Sequence, residues 1–120
     1  MTANMPADAV MVMQVQFNRF CIDRVTIAPF TGRDQFGDDS FGPPVDYDAL
    51  LVIRQASVVN AAGELQGARG YVVLAYQPDG TAPRVGDDDR LSLPDQTTPV
   101  IIAVELDLNE PAISPTKVWF

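Results

Sequence analysis

Histidine is absent from the 120-residue chain, and there is a single cysteine, Cys21. Without imidazole, Ser-His and Cys-His nucleophiles and histidine metal sites are excluded. A lone thiol can neither close an internal disulfide nor complete a zinc-ligand set, and it is compatible with a reduced, intracellular setting. Positive charge is also scarce: eight Lys and Arg stand against sixteen Asp and Glu, for a net charge of -8. Nucleic-acid affinity comes chiefly from neutralising phosphates, so a chain this acidic is not built to grip DNA. Neither a "GK[ST]" nor a G-x-G-x-x-G pattern occurs, which excludes the P-loop and dinucleotide fingerprints. The apolar stretch "AVMVMQVQF" (Ala9 to Phe17) is too short to span a bilayer and follows no basic region, so neither a signal peptide nor a transmembrane segment is expected.

What is present points to a folded domain. Hydrophobic residues make up 47% of the chain and charged ones 20%, the opposite of a disordered composition. A chain of this length forms one domain and buries roughly two thirds of its unfolded surface. Its ten prolines and eight glycines are spread along the sequence, which suits short strands joined by turns.

The first segment carries helix-start chemistry, with Asn4 as a cap, Pro6 near the first helical position and Asp8 in the first turn, and predicts a short helix to about Phe20. The alternation of Val12, Gln14 and Gln16 is the competing strand signal. Its Met, Val and Phe residues form a core or interface stripe. After Asp23 the pattern becomes one of strands. "RVTIAPF" alternates and is stopped by Pro29. "TGRDQFGDDSFGPPVDYD" reads as a long loop, of a length that is often functional, in which Phe36 and Phe41 either pack back on the body or meet a partner. "DALLVIRQASVV", "ARGYVVLAYQ", "RLSLP", "TPVIIAVELDL" and "PTKVWF" follow as strands, with turns at "NAAGEL" and "PDGTAP". The expected fold is all-β: a small β-barrel of about six or seven mostly antiparallel strands over residues 23–120, preceded by an N-terminal arm or helix over residues 1–22.

Carboxylates are the remaining candidates for chemistry. Asp87, Asp88 and Asp89 are consecutive, and Asp38 and Asp39 adjacent, but neighbours on an extended chain point to opposite faces and do not converge on one ion. No metal, cofactor or catalytic residue is therefore expected, and Cys21 reads as a small buried hydrophobe.

Taken in order, "RVTI", "GRDQFGDDSFGPPVDYDALLV", "VVNAAGE", "ARGYVVLAY", "VGDDDRLSLPD", "VIIAVELD" and "KVWF" resemble the head-closure or head-tail connector (stopper) proteins of tailed phages. The resemblance runs from Asp23 to Phe120. Its motifs are a G-x-D-x-[FY]-G loop, here Gly32, Asp34, Phe36 and Gly37, and a V-G-D-x-[IL]-x-L-P-D hairpin. The sequence departs from the pattern in having Gln96 where glycine commonly follows "LPD", extra aspartates in the hairpin, and a longer N-terminal segment.

The resemblance implies a non-enzymatic virion neck protein, assembled in the host cytoplasm as a hexameric or dodecameric ring. Such a ring lies between the portal or adaptor and the tail or tail-terminator, and DNA passes through it without specific binding. Carried onto this chain, the loop residues Arg33, Asp34, Phe36, Asp38, Asp39 and Phe41 serve channel closure or docking. Met11, Met13, Phe17, Phe20 and Trp119 serve subunit or ring-to-ring contacts. Asp87 to Asp89 form a solvated turn, a patch for a basic partner, or a negative collar on the channel. The alternatives are an adaptor or tail-terminator of the same neck, a monomeric ligand- or peptide-binding barrel, and, more remotely, a metal-assisted hydrolase using Asp87 to Asp89.

Overall fold

The computed structural model describes residues 7–106 and 115–120. The expected cap residues Asn4 and Pro6, and the end of the "TPVIIAVELDL" strand, lie outside them.

Helix α1 covers Ala7–Asn18. The helical period prevails over the alternating one because it places Gln14, Phe17 and Asn18 on one face, and that face is held. The Gln14 amide donates to the Gly80 carbonyl at 2.9 Å, the Asn18 carboxamide oxygen accepts the Tyr76 N–H at 3.0 Å, and Phe17 meets Tyr76 edge-on at 5.8 Å. Among the described residues, no helix is long and apolar enough to cross a membrane.

The strands are β1 (Asp23–Ala28), β2 (Phe30–Arg33), β3 (Asp39–Phe41), β4 (Val45–Val59), β5 (Leu65–Leu74), β6 (Arg90–Ser92), β7 (Ala103–Glu105) and β8 (Lys117–Trp119). Six of them form one antiparallel sheet in the order β6-β1-β4-β5-β8-β7, and β2 and β3 pair separately. The sheet curls into a half-barrel. Its two edge strands are joined by the segment from Leu93 to Ile102, whose ends are tied by Leu93 N–H to Thr97 O at 2.9 Å and Ile102 N–H to Trp119 O at 2.8 Å. The inner face carries the core: Val25, Ile27, Ala49, Val72, Leu74, Leu91, Leu93, Ile101, Val118 and Phe120. On the outer face the alternation of β1 turns Arg24 and Thr26 toward β4, where Arg24 pairs with Asp48 at 3.1 Å and the Thr26 hydroxyl donates to Asp46 at 3.0 Å.

The structure corrects the sequence reading in two places. The stretch taken as a long loop, Thr31 to Asp46, holds a hairpin and the start of β4. Its strands have only four and three residues and Gly32 interrupts the first, so they lack the alternation that marks a strand in sequence. Conversely, among the described residues of "TPVIIAVELDL" a ladder forms only at Ala103–Glu105. Its first half crosses the end of the half-barrel, where Ile101 enters the core and Val100 stays 82% exposed.

Four turns share one backbone. In each, the first residue donates to the carbonyl of the fifth, and the fourth donates to the carbonyl of the first: Asp34 to Asp38, Asn60 to Glu64, Gln77 to Thr81 and Leu93 to Thr97. The fourth residue has positive φ: Gly37 (83°), Gly63 (82°), Gly80 (83°) and Gln96 (72°). Glycine adopts that conformation without steric cost, whereas Gln96 adopts it at a penalty. The turn missing its glycine is therefore made, and strained.

Candidate functional site

The hairpin β2–β3 is built by the residues of its motif. Asp34 Oδ1 accepts the N–H groups of Phe36 at 2.8 Å and Asp38 at 3.0 Å, capping the tip. Gly32 takes φ 136° beside the register shift between Phe30 and Gly32, and Gly37 takes the left-handed position. Arg33 and Asp39 face each other in the ladder and form an ion pair at 3.1 Å. The two phenylalanines separate. Phe41 packs edge-on to Phe30 at 6.1 Å, beneath the Arg90 guanidinium at 4.1 Å, while Phe36 rides on the tip, 80% exposed.

The three aspartates also separate. Asp89 Oδ1 accepts the Phe30 N–H and its Oδ2 the Gly86 N–H, both at 2.8 Å. It thereby closes its own turn and pins the start of β2 to it, since a carboxylate accepting backbone donors makes a charge-assisted bond. Asp87 and Asp88 are exposed and make no hydrogen bond or ion pair among the described residues. Together with Asp39, Phe41, Arg90 and Val100 they line an open groove of about 240 Å³. The fold thus brings the loop motif and the acidic hairpin, 59 residues apart at the Phe30–Asp89 bond, to one place. Among the described residues, no three Asp, Glu or Cys side chains are grouped to hold a metal ion.

The other expected contact residues lie elsewhere. Met11 and Phe20 are exposed at 63% and 65%, Met13 is half-buried, and Phe17 is taken up against Tyr76. Trp119 is half-buried on the outer face of β8, its ring 4.8 Å from Tyr71, its N–H donated to Glu105 at 3.2 Å, and Lys117 above both rings. Cys21 is buried, as expected. Burial foremost, helped by Asp48 and Asp23, pushes its thiol up to about 11. Burial also pushes Tyr76 up to about 12, and its hydroxyl has no partner among the described residues. Thr81 and Thr97 hydroxyls hold the exposed carboxyls of Asp79 and Asp95 below the usual carboxylate range.

The sequence reading missed the far half of the β4–β5 hairpin. A register shift between Ile53 and Ala56 gives β4 one residue more than β5 there, a bulge that bends the ribbon. Beyond it, Val59 and Leu65 face each other in the ladder, 56% and 70% exposed, and Ile53 at the bulge is 71% exposed. The signal was a branched run longer than the strands available to cover it.

No protein-family model matches the chain, and no curated protein is significantly similar to it.

Proposed function

We propose that the chain is a structural subunit of a tailed-phage neck, a ring-forming head-closure (stopper) protein that joins the portal or adaptor to the tail and retains packaged DNA. The observation that carries this reading is the β2–β3 hairpin. The motif residues Gly32, Asp34 and Gly37 supply its irregularity, its cap and its left-handed position, and they hold Phe36 80% exposed at its tip. An apolar ring held in water on a self-capped mount suits adhesion or occlusion by a partner surface. The net charge of -8 suits a wall along which DNA slides without sticking. Adaptor or tail-terminator positions in the same neck draw support from the same features.

Cryo-electron microscopy of whole particles, reconstructed on the neck, tests the proposal. A symmetric ring of this chain beneath the portal is the expected result. Intact particles whose neck is filled by other chains would remove the proposal.

One observation favours a ligand-binding module instead. The Tyr76 hydroxyl, which has no partner among the described residues, belongs to a residue lining an open groove of about 370 Å³ between α1 and the 77–80 turn. Native mass spectrometry of the purified chain and its Tyr76→Phe variant tests it: a small molecule retained by the first and lost from the second would support the module, and none in either would count against it.

A further inference from the structure

Among the described residues, the far half of the β4–β5 ribbon is left largely uncovered, although Ala68 at its foot is buried. β1 pairs with β4 no further than Ala49, and β8 pairs with β5 no further than Tyr71, so from Ala56 to Ala68 neither strand has a ladder partner on its open edge among the described residues. Such edges, with Ile53, Val59 and Leu65 exposed, are what a soluble monomer ordinarily covers or charges. At the bulge, the foot of this ribbon carries two arginines, Arg54 and Arg69, with Glu64 the one charged residue between them along the chain. Arg54 makes no ion pair among the described residues, and Arg69 leans over the Phe120 ring at 5.8 Å.

The complementary surface is on the same chain. The groove beside β2–β3 carries the unpaired Asp87 and Asp88 together with Phe41 and the 82% exposed Val100. The groove adjoins the Val45 end of β4 through the Gly42 to Pro44 link, and the ribbon is its Val59 end. β4 has 15 residues, which at about 3.3 Å each nearly spans the 50 Å long axis. One molecule cannot bring these surfaces together, but two can, head to tail.

We propose that the free half of the β4–β5 ribbon of one copy, together with its foot at the bulge, seats in the groove between the β2–β3 hairpin and the 86–89 turn of the next copy, with Arg54 and Arg69 at that foot facing Asp87 and Asp88. This rests on the ring-subunit reading and specifies its contact. A contact between different patches is heterologous, and it closes a ring where the rotation between copies closes and grows an open filament where it does not. A second copy is the occupant because both halves of the complementary pair belong to this chain.

A reciprocal charge swap tests the contact. Arg54→Glu/Arg69→Glu makes the ribbon acidic, and Asp87→Lys/Asp88→Lys makes the groove basic. All four side chains are exposed, and circular dichroism and melting check that each variant is folded. In sedimentation velocity at low salt, the natural chain is expected to self-associate, more weakly as salt rises. Each variant alone should associate about tenfold or more weakly, since like charges then face each other. An equimolar mixture should recover association, because each ribbon again meets an opposite groove. Association of the natural chain that both swaps leave unchanged, or that mixing fails to restore, removes this contact and leaves the ring subunit standing. A natural chain monomeric at every concentration and salt removes both.

Discussion

β4 and β5 form one continuous hairpin with two unlike halves. On the near side of the bulge, Ala49, Val72 and Leu74 are fully buried; beyond it, Val59 and Leu65 are more than half exposed. The sequences do not announce the change, for "ALLVI" and "ASVV" are similarly rich in branched residues. Neighbours make the difference. β1 and β8 flank the near half and stop before the far one, so the same apolar chemistry is core in one place and unmatched surface in the other. A sheet buries what adjacent strands and loops can reach, and apolar residues beyond that reach stay on the surface.

The contrast can be broken most sharply at two glycines. A Cβ on Gly70, in the near half, would lie 2.3 Å from the Val52 carbonyl oxygen and 3.2 Å from the Phe120 ring, whereas one on Gly67, in the far half, meets nothing within 4 Å. Gly70→Ala is expected to destabilise by about 3 kcal/mol or more through forced backbone movement. Gly67→Ala should be neutral or stabilising by about 0.5 kcal/mol. Chemical denaturation measures both, and equal effects would show that the halves are packed alike. Truncation tests the same point: Leu74→Ala should cost about 3 kcal/mol and Leu65→Ala about 0.5 kcal/mol or less, the latter acting instead on self-association.

The distinction between groups the fold uses and groups it leaves over extends to the acidic turn. Asp89→Ala loses two backbone hydrogen bonds to a charged acceptor and is expected to cost about 2 kcal/mol, while Asp87→Ala and Asp88→Ala should stay within about 0.5 kcal/mol. Thermal melts of the three variants would overturn the assignment if the costs were equal. Gln96→Gly should stabilise by about 0.5–1 kcal/mol, relief of the left-handed strain outweighing the added freedom of the unfolded chain.

A further effect is confined to alkaline pH. The folded state raises the Cys21 thiol from its ordinary 9.0 to about 11, so its contribution is complete below about pH 9 and is lost as pH rises toward 11. Cys21→Ala should flatten that part of the stability profile measured by denaturation, and an unchanged slope would contradict the assignment.

Much of the fold was legible because it is locally encoded. The alternation of Val25 and Ile27 and Pro29 as the stop of β1 are each visible within a few residues, and the helix read to about Phe20 ends at Asn18. The N-A-A-G-E turn reads the same way, with Asn60 Oδ1 accepting from Ala62 and Glu64. The β2–β3 hairpin was hidden because its stability lies in the Asp34 side chain and two glycines instead of in alternating apolar residues. The groove was invisible for another reason. It depends on Asp89 reaching Phe30 and on Val100 arriving from a third segment, and nothing in their separate sequences states that they meet. Asp89 itself was half readable: aspartate in a turn implies a bond to its own backbone, but not the second bond to a distant strand.

The shared turn backbone has a consequence for what the molecule can present. Two chemistries close it. Asp34 and Asn60 cap from the first position, while in the P-D-x-T turns Asp79 and Asp95 accept the N–H and hydroxyl of Thr81 and Thr97 from the third. In the first kind, the second and third residues carry none of the capping side chains; they are Gln35 and Phe36 in one turn and Ala61 and Ala62 in the other. The frame is a socket and those residues are its interchangeable insert. The tip of the β2–β3 hairpin can therefore be re-lettered freely with the scaffold kept, as long as Asp34 and Gly37 remain.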